Sequence, residues 1–218
     1  MSIRWILADF DGTLADSMPY CAALPYEERK ARGIAAPADL GDLIRARPMG
    51  EIAGILAARY AALGDREALY EAWTERMAEN YAGRIALKPG AEALLEDFRR
   101  RELPVCLLTA TDHRLLDPAL DKLGLKRFLC AAVSEAEAGG SKRTGVPYRF
   151  CLERLGARAE ETLLLEDSLP NLRGGRAAGL KTCGVYDESM APVWEDIQRE
   201  TDVSLRDLRS REALLALL

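Results

Sequence analysis

A chain of 218 residues with 49% hydrophobic and 30% charged residues has the composition of a folded globular protein, either one large α/β domain or a domain with an inserted module. The net charge of −5 comes from acids and bases mixed along the chain, which argues against a nucleic-acid polymer as partner. No apolar run approaches the roughly 20 residues that span a bilayer, and the acidic N-terminal stretch does not fit a signal peptide, so we expect a cytoplasmic protein without membrane contacts.

The first predicted element is a strand over residues 3–8, which leads into the segment DFDGTL starting at Asp9. In open α/β sheets, ligands bind at the carboxyl ends of strands. Asp9 and Asp11 should point the same way from an extended segment, and two like charges so close require a cation or a shared proton. A calcium loop of the EF-hand type is excluded, because it needs glycine sixth and glutamate twelfth, whereas Gly12 is fourth and Tyr20 is twelfth.

The next segment runs from Pro19 to Arg84 and is rich in alanine, glutamate, arginine and leucine. Its stretches MGEIAGILAARYAAL and EALYEAWTERMAENYA have the periodicity of amphipathic helices, and no strand pattern separates them. We therefore predict a helical cap over residues 18–84, inserted into a core made of residues 1–17 and 85–218.

After Pro89-Gly90, short apolar runs alternate with stretches of helical periodicity. The predicted strands cover residues 104–109, 130–133, 162–165 and 181–185. The predicted helices cover residues 91–101, 115–123, 148–155 and 169–178, and the tail from Pro192 is helical in pattern. This alternation indicates buried parallel strands in repeated βα units. The predicted fold class is α/β, with a doubly wound parallel sheet.

Polar residues end two of these later strands. Glu166-Asp167 follows the apolar run TLLL, Thr109 ends the run PVCLL, and Lys142 lies in the loop GGSKRTG. Taken singly, each has an ordinary explanation: a D-x-D segment can be turn chemistry, a threonine can cap a strand, and a loop lysine can be solvated. Four carboxylates at two strand ends instead favour an anion site with a metal, and a few oxygen ligands suit Mg²⁺.

Four segments, in this order along the chain, resemble the motifs of the haloacid dehalogenase superfamily: DFDGTLADS, LLTATD, the loop lysine and LLLEDSLPNLRGGRAAGL. The resemblance is to the branch of β-phosphoglucomutase and phosphoglycolate phosphatase. It implies a Rossmann-like core with an inserted helical cap. It also implies a Mg²⁺-dependent phosphatase that hydrolyses a small phosphorylated metabolite, such as a sugar phosphate, phosphoglycolate or a nucleotide, through an aspartyl-phosphate intermediate.

The same resemblance assigns expected roles to residues of this chain. Asp9 would be the nucleophile and Asp11 the general acid and base. Thr109, with Ala110 after it, and Lys142 would bind phosphoryl oxygens. The expected metal ligands are Asp9, the carbonyl group of Asp11, and Asp167, with Glu166 beside them.

Several alternatives stay open at this stage. Dehalogenases of the superfamily lack the second aspartate and the metal site, so Asp11 argues for phosphorus chemistry. A phosphomutase of the β-phosphoglucomutase type would use a cap histidine, whereas the single histidine, His113, lies outside the predicted cap. A non-catalytic protein that binds a phosphorylated ligand is the third possibility. The loop after Lys142 is longer than usual in the family, which leaves Arg143 as an alternative for the lysine's role.

The cap offers weaker signals for the substrate. Tyr20 and Arg47, with Arg45 nearby, are candidates for contacting a phosphate or a sugar. The arginines are also compatible with solvated charges at a helix end. The expected partner is a small phosphorylated substrate, and the expected assembly is a monomer or a weak homodimer.

Overall fold

The computed structural model describes residues 2–218, and its central feature is one six-stranded sheet. The strands are β1 Trp5–Ala8, β2 Val105–Thr109, β3 Leu129–Ser134, β4 Thr162–Glu166, β5 Lys181–Val185 and β6 Val203–Leu205. Their order in the sheet is β3-β2-β1-β4-β5-β6, and every neighbouring pair is parallel. The chain therefore moves outward in one direction from β1 to β3 and in the other from β4 to β6. Because crossovers between parallel strands are right-handed as a rule, this strand order places helices on both faces of the sheet, and the predicted fold class is confirmed.

Burial explains why these segments form strands. All five residues of β2 and all five of β4 are buried. Parallel strands covered on both faces are nearly continuous apolar runs, which is the pattern that VCLLT and TLLL show. Around the sheet lie α5 Ala91–Arg100, α6 His113–Lys122, α7 Val146–Leu155, α8 Leu169–Ala177, α9 Trp194–Glu200 and α10 Glu212–Leu215.

The C-terminal tail contains the predicted helical segments and one strand that was not predicted. Helices α9 and α10 confirm the helical pattern of the sequence after Pro192. The additional strand β6 lies between them and pairs with β5. A strand of three residues is too short to show a period in the sequence, and its pairing partner lies in another part of the chain.

The chain divides into two compact units, residues 17–85 and residues 1–16 with 86–218. The smaller unit consists of α1 Met18–Ala31, α2 Leu40–Ala46, α3 Met49–Arg59 and α4 Arg66–Gly83. Asp65 caps α4 by accepting a hydrogen bond from the backbone N–H of Ala68 at 2.8 Å. The buried face of α4 recurs every four residues, at Leu69, Trp73, Met77 and Tyr81, and the helix packs on α1 and α3.

Short 3-10 helices connect several elements, at Ala61–Leu63, Lys126–Phe128, Lys142–Thr144, Ala159–Glu161 and Glu188–Val193. None of the helices within residues 2–218 has both the length and the apolar character needed to cross a membrane.

Candidate active site

The two acidic segments meet between β1 and β4, where the strand order reverses because the chain adds later strands on the other side of β1. Ala8 lies opposite Leu165 in the strand pairing, so Asp9 and Glu166 follow at the ends of adjacent strands. One carboxylate oxygen from each of Asp9, Glu166 and Asp167 lies within 4.8 Å of the others. All three residues are buried, with 5%, 1% and 3% exposure. We call this group the carboxylate cluster; it occupies the position at which open α/β sheets bind ligands.

Lys142 supplies a positive charge inside the carboxylate cluster. Its Nζ donates to Asp9 Oδ1 at 2.5 Å and to Glu166 Oε2 at 2.7 Å, and the residue is only 2% exposed. Its backbone N–H donates to Glu135 Oε1 at 2.5 Å, which fixes the loop. The neighbouring Arg143 instead directs its Nε to Ser141 Oγ at 3.1 Å. Of the two basic residues considered from the sequence, the structure therefore places Lys142 against Asp9.

The charges of the carboxylate cluster do not balance. Burial and then the charge of Glu166 raise the pKa of Asp9 to about 8, although Lys142 opposes the shift. Burial, followed by the charges of Glu166 and Asp9, holds the pKa of Asp167 well above its usual range. Burial alone would lower the pKa of Lys142, but Asp9 and Glu166 outweigh it and hold that pKa well above the ordinary value. The ammonium group of Lys142 is thus not enough to offset the burial of Asp9 and Asp167 and the negative charge around them.

This donor set fits a small divalent cation. Buried carboxylate oxygens are hard ligands, and bringing a second cation beside them would lower the pKa values that burial has raised. The fit rests on the chemistry of the side chains and on the unbalanced charge around Asp9.

A tight turn after Asp9 brings a hydroxyl group to the same place. Thr13 donates at 3.4 Å to Asp9 Oδ2 and lies 3.3 Å from Asp167 Oδ1. Gly12 has a φ of 83°, a conformation that glycine adopts without the steric cost of a Cβ, and the N–H of Ala15 closes the turn onto the carbonyl of Phe10 at 2.8 Å. Thr13 was not among the site residues predicted from the sequence. Its signal there was its place in the segment DFDGTL, directly after the glycine.

Asp11 has different partners from Asp9. Its carboxylate is not a member of the carboxylate cluster; instead, Asp11 Oδ2 accepts a hydrogen bond from Thr111 Oγ1 at 2.5 Å. The backbone N–H of Thr111 donates in turn to Thr109 Oγ1 at 3.0 Å. Thr109 is buried at the end of β2, and Ala110 beside it is exposed. A chain of two hydrogen bonds thus joins Thr109 to Asp11. Thr111, the link between them, was not among the residues predicted from the sequence.

The cap candidates lie in the smaller unit. Tyr20 belongs to α1 and is half-buried. Arg47 follows the end of α2 and forms an ion pair with Glu51 at 2.9 Å, in which both side chains are exposed. Arg45 is paired with Asp42. Each of the two arginines is thus paired with a carboxylate of the same unit.

A family profile described as haloacid dehalogenase-like hydrolase matches residues 3–179, which is most of the chain and includes every member of the carboxylate cluster. The chain is a haloacid dehalogenase-like hydrolase. The resemblance inferred from the four sequence motifs is thereby confirmed.

Curated relatives of this hydrolase include named phosphatases. The chain is 27% identical over 193 residues to a phosphoglycolate phosphatase of Chromobacterium violaceum, covering 84% of this chain and 85% of that protein. It is 28% identical over 188 residues to an N-acetylmuramic acid 6-phosphate phosphatase of Pseudomonas putida, covering 85% and 83%. Together with the family match, these names confirm the predicted enzyme class, a phosphoric monoester hydrolase.

Solved structures support the fold of the hydrolase independently. A variant of CbbY from Rhodobacter sphaeroides, in complex with xylulose-(1,5)bisphosphate, superposes with a TM-score of 0.83 at 22% identity, over 99% of both chains. At this level of identity the likeness concerns the fold.

Proposed function

We propose that this hydrolase removes the phosphate group from a small phosphorylated metabolite, with Asp9 as nucleophile and Mg²⁺ as cofactor. The observation that carries the proposal is the carboxylate cluster, in which Asp9 is held against Lys142 at 2.5 Å and faces an excess of negative charge. Two relatives are named as phosphatases of phosphoglycolate and of N-acetylmuramic acid 6-phosphate. We infer a substrate of similar size and charge for this hydrolase.

Asp9, Asp167 and the carbonyl group of Asp11 would hold Mg²⁺, with Glu166 beside them. When bound, the cation would polarise a phosphoryl oxygen and neutralise charge that builds up on it. The remaining steps belong to the residues of the chain.

The reaction would proceed in two displacements. In the first, a carboxylate oxygen of Asp9 forms a bond to phosphorus while the ester P–O bond breaks, and Asp11 gives its proton to the departing oxygen. In the second, water loses a proton to Asp11 and attacks phosphorus, which frees Asp9 and releases inorganic phosphate. The 2.5 Å hydrogen bond from Thr111 fixes the orientation of the Asp11 carboxyl group for both proton transfers.

Thr109 would donate a hydrogen bond to the transferred group. Lys142, whose Nζ already donates to Asp9, Glu166 and the carbonyl of Leu108, would act on that group through its charge. Thr109 Oγ1 accepts the N–H of Thr111, so its own proton remains available to a phosphoryl oxygen. The Lys142 ammonium, already in contact with the nucleophile, would offset the negative charge spread over the phosphoryl oxygens.

We further propose that residues 18–84 form the cap and that Tyr20 and Arg47 on it contribute to substrate choice. The phosphomutase alternative receives no support from His113. This residue lies on α6 in the larger unit, within 3.1 Å of Asp117 and 3.4 Å of Glu137. These contacts hold it on the surface of α6, and hydrolysis remains the favoured reaction.

The proposal is tested by phosphate release from phosphoglycolate, sugar 6-phosphates and nucleoside monophosphates, with Mg²⁺ or with EDTA. We compare wild type with Asp9→Asn and with the control Asp121→Asn, which removes an exposed carboxylate paired with Lys126. Wild type and the control should release phosphate only with Mg²⁺, and Asp9→Asn should be inactive. Activity in Asp9→Asn, or a wild type that is inert on every ester, would refute the proposal.

The covalent step has its own test. Wild type mixed with substrate that carries radioactive phosphate and quenched in acid should retain label on the protein, because the acyl phosphate of Asp9 survives the quench. Borohydride reduces an acyl phosphate to an alcohol, so the same sample should contain homoserine in place of Asp9 in the tryptic peptide, as detected by mass spectrometry. Direct attack of water on the substrate forms no acyl phosphate, and it would leave the protein unlabelled and Asp9 unchanged.

A further inference from the structure

Lys88 is a largely buried lysine that the sequence analysis and the proposed mechanism leave without a role. Its side chain is 12% exposed and forms an ion pair with Asp187 Oδ2 at 2.8 Å, and the Asp187 side chain is 5% exposed. Nζ also donates to the carbonyl of Tyr186 at 2.7 Å and to the carbonyl of Gly12. The backbone N–H of Lys88 donates to the carbonyl of Leu14 at 2.8 Å. Lys88 therefore holds the turn after Asp9 at two points.

The surroundings of Lys88 argue against a role in binding a ligand directly. The residue lines a cleft of about 140 Å³, together with Asp16, Tyr186 and Arg206. An ammonium group has three N–H donors, and the carbonyls of Gly12 and Tyr186 and the carboxylate of Asp187 take all three. All three donors are thus satisfied within the protein, by the turn after Asp9 and by the segment after β5, and none is left for a ligand in the cleft.

The turn that Lys88 contacts carries groups of the proposed metal site. Gly12 has no side chain of its own to hold its peptide group, and its φ of 83° belongs to a region that few other residues adopt. The carbonyl of Asp11 precedes Gly12, and the hydroxyl of Thr13 follows it, within 3.4 Å of Asp9 and 3.3 Å of Asp167. Fixing the carbonyl of Gly12 therefore restricts both neighbouring groups.

Asp187 fixes Lys88 in turn. It is buried just after β5, and its Oδ1 accepts hydrogen bonds from the backbone N–H of Ser189 at 2.9 Å and from its hydroxyl at 2.7 Å. The other carboxylate oxygen contacts Lys88. The end of β5 is thus connected, through one ion pair, to the turn at the end of β1.

We propose that Lys88 is a positioning residue for the cation site, acting through the carbonyl of Gly12 to hold the Asp11 carbonyl and the Thr13 hydroxyl in place. The inference rests on the proposed function, because it takes Mg²⁺ as the cation. In this proposal the ammonium of Lys88 orients groups around the cation, whereas Lys142 contacts the nucleophile Asp9 itself.

Calorimetric titration of the EDTA-treated protein with Mg²⁺ tests the inference without measuring activity. Lys88→Met should bind Mg²⁺ about 10 to 100 times more weakly than wild type, the loss typical of removing an outer partner of a metal ligand. Asp187→Asn should lose much less Mg²⁺ affinity, because the asparagine side-chain carbonyl still accepts a hydrogen bond from Lys88 and the contact of Lys88 with Gly12 remains. The matched control is Lys181→Met, which breaks an ion pair of similar length, 2.9 Å to Asp202, at the start of β5.

The double variant Lys88→Met/Asp187→Asn separates positioning from folding. Lys88→Met alone leaves the Asp187 charge buried without a partner and is the variant most prone to unfold. The double variant removes both charges but still lacks the contact with Gly12, so its Mg²⁺ affinity should stay as low as that of Lys88→Met. Recovery of wild-type affinity in the double variant, or unchanged affinity in a folded Lys88→Met, would overturn the inference. If wild type itself bound no Mg²⁺, the proposed function would fail first.

Discussion

Raising the pH should destabilise the metal-free protein, because burial keeps Asp9 protonated in the folded state. The pKa of Asp9 is raised from 3.8 to about 8. Between these values the folded form binds a proton that the unfolded form has lost. The stabilisation is therefore complete below the lower pKa and disappears as the pH rises through the higher one. Asp167, whose pKa is also raised, acts in the same direction.

The magnitude follows from proton linkage. One additional proton bound by the folded state changes the free energy of unfolding by about 1.4 kcal/mol for each pH unit. Across the interval from 3.8 to about 8, Asp9 alone accounts for on the order of 5 kcal/mol. This is comparable with the whole stability of a typical domain, roughly 5–15 kcal/mol, so the effect is large enough to measure.

Urea denaturation in EDTA at several pH values between about 5 and 8 measures this dependence. The stability of wild type should fall with pH more steeply than that of Asp9→Asn, by about 1.4 kcal/mol per pH unit. The control Asp121→Asn should keep the wild-type slope, because its side chain is exposed. Excess Mg²⁺ should abolish the decline, since the cation binds the ionised carboxylates. Equal slopes for wild type and Asp9→Asn would refute the reasoning.

Three further substitutions address single contacts of the site. Thr111→Val removes the hydrogen bond to Asp11 and should slow the hydrolysis of alkyl phosphates at least about 10-fold. The hydrolysis of aryl phosphates should be spared, because their leaving oxygen needs little protonation, and rate assays on both esters measure the difference. Lys142→Met should reduce phosphate release by about 10²-fold or more, measured at saturating substrate, because it removes the charge next to Asp9. Gly174→Ala should destabilise the protein by about 1–3 kcal/mol in thermal denaturation, because a Cβ there would overlap the carbonyl of Lys142.

Each of these variants has a matched control. Thr201→Val removes a 2.8 Å hydrogen bond to the carbonyl of Ile197. It should change the hydrolysis rates of alkyl and aryl phosphates little and to the same extent. Gly83→Ala adds a methyl group that meets no side chain or other segment of the protein within 4 Å and should be tolerated. Lys181→Met removes an exposed ammonium and should keep its activity. If Thr111→Val slowed aryl and alkyl esters to the same extent, Asp11 would not be the acid that protonates the leaving group.

Strands β1 to β5 could be predicted because each is a short, continuous apolar run. Such runs are typical of parallel strands that are buried on both faces, as β2 and β4 are. The same reasoning located the acidic residues, because a polar residue directly after a buried strand must lie at the edge of the sheet. It could not find β6, whose three residues show no period and whose pairing with β5 depends on tertiary contacts.

The residues missed by sequence reasoning are those that act through contacts distant in the chain. Thr111 is informative only once it is known to reach Asp11, and Lys88 only once it is known to meet Asp187 and Gly12. A threonine or a lysine in a polar loop has no distinguishing pattern of its own. Lys142 could be proposed because the motifs of the family include a lysine in that loop.

The order of the strands determines which chemical groups lie on each side of Asp9, and this order cannot be read directly from the sequence. β1 lies between β2 and β4, so Asp9 has a buried hydroxyl, Thr109, at the end of one neighbour and the carboxylate of Glu166 at the end of the other. The negative charge is therefore concentrated on the β4 side, where a cation is most strongly attracted. On the β2 side, the hydroxyl of Thr109 can donate to an anionic phosphoryl oxygen, and the carboxyl group of Asp11 accepts from Thr111 close by. Had β1 been an edge strand, one of these two environments would be absent, and a nucleophilic aspartate could not have both at once.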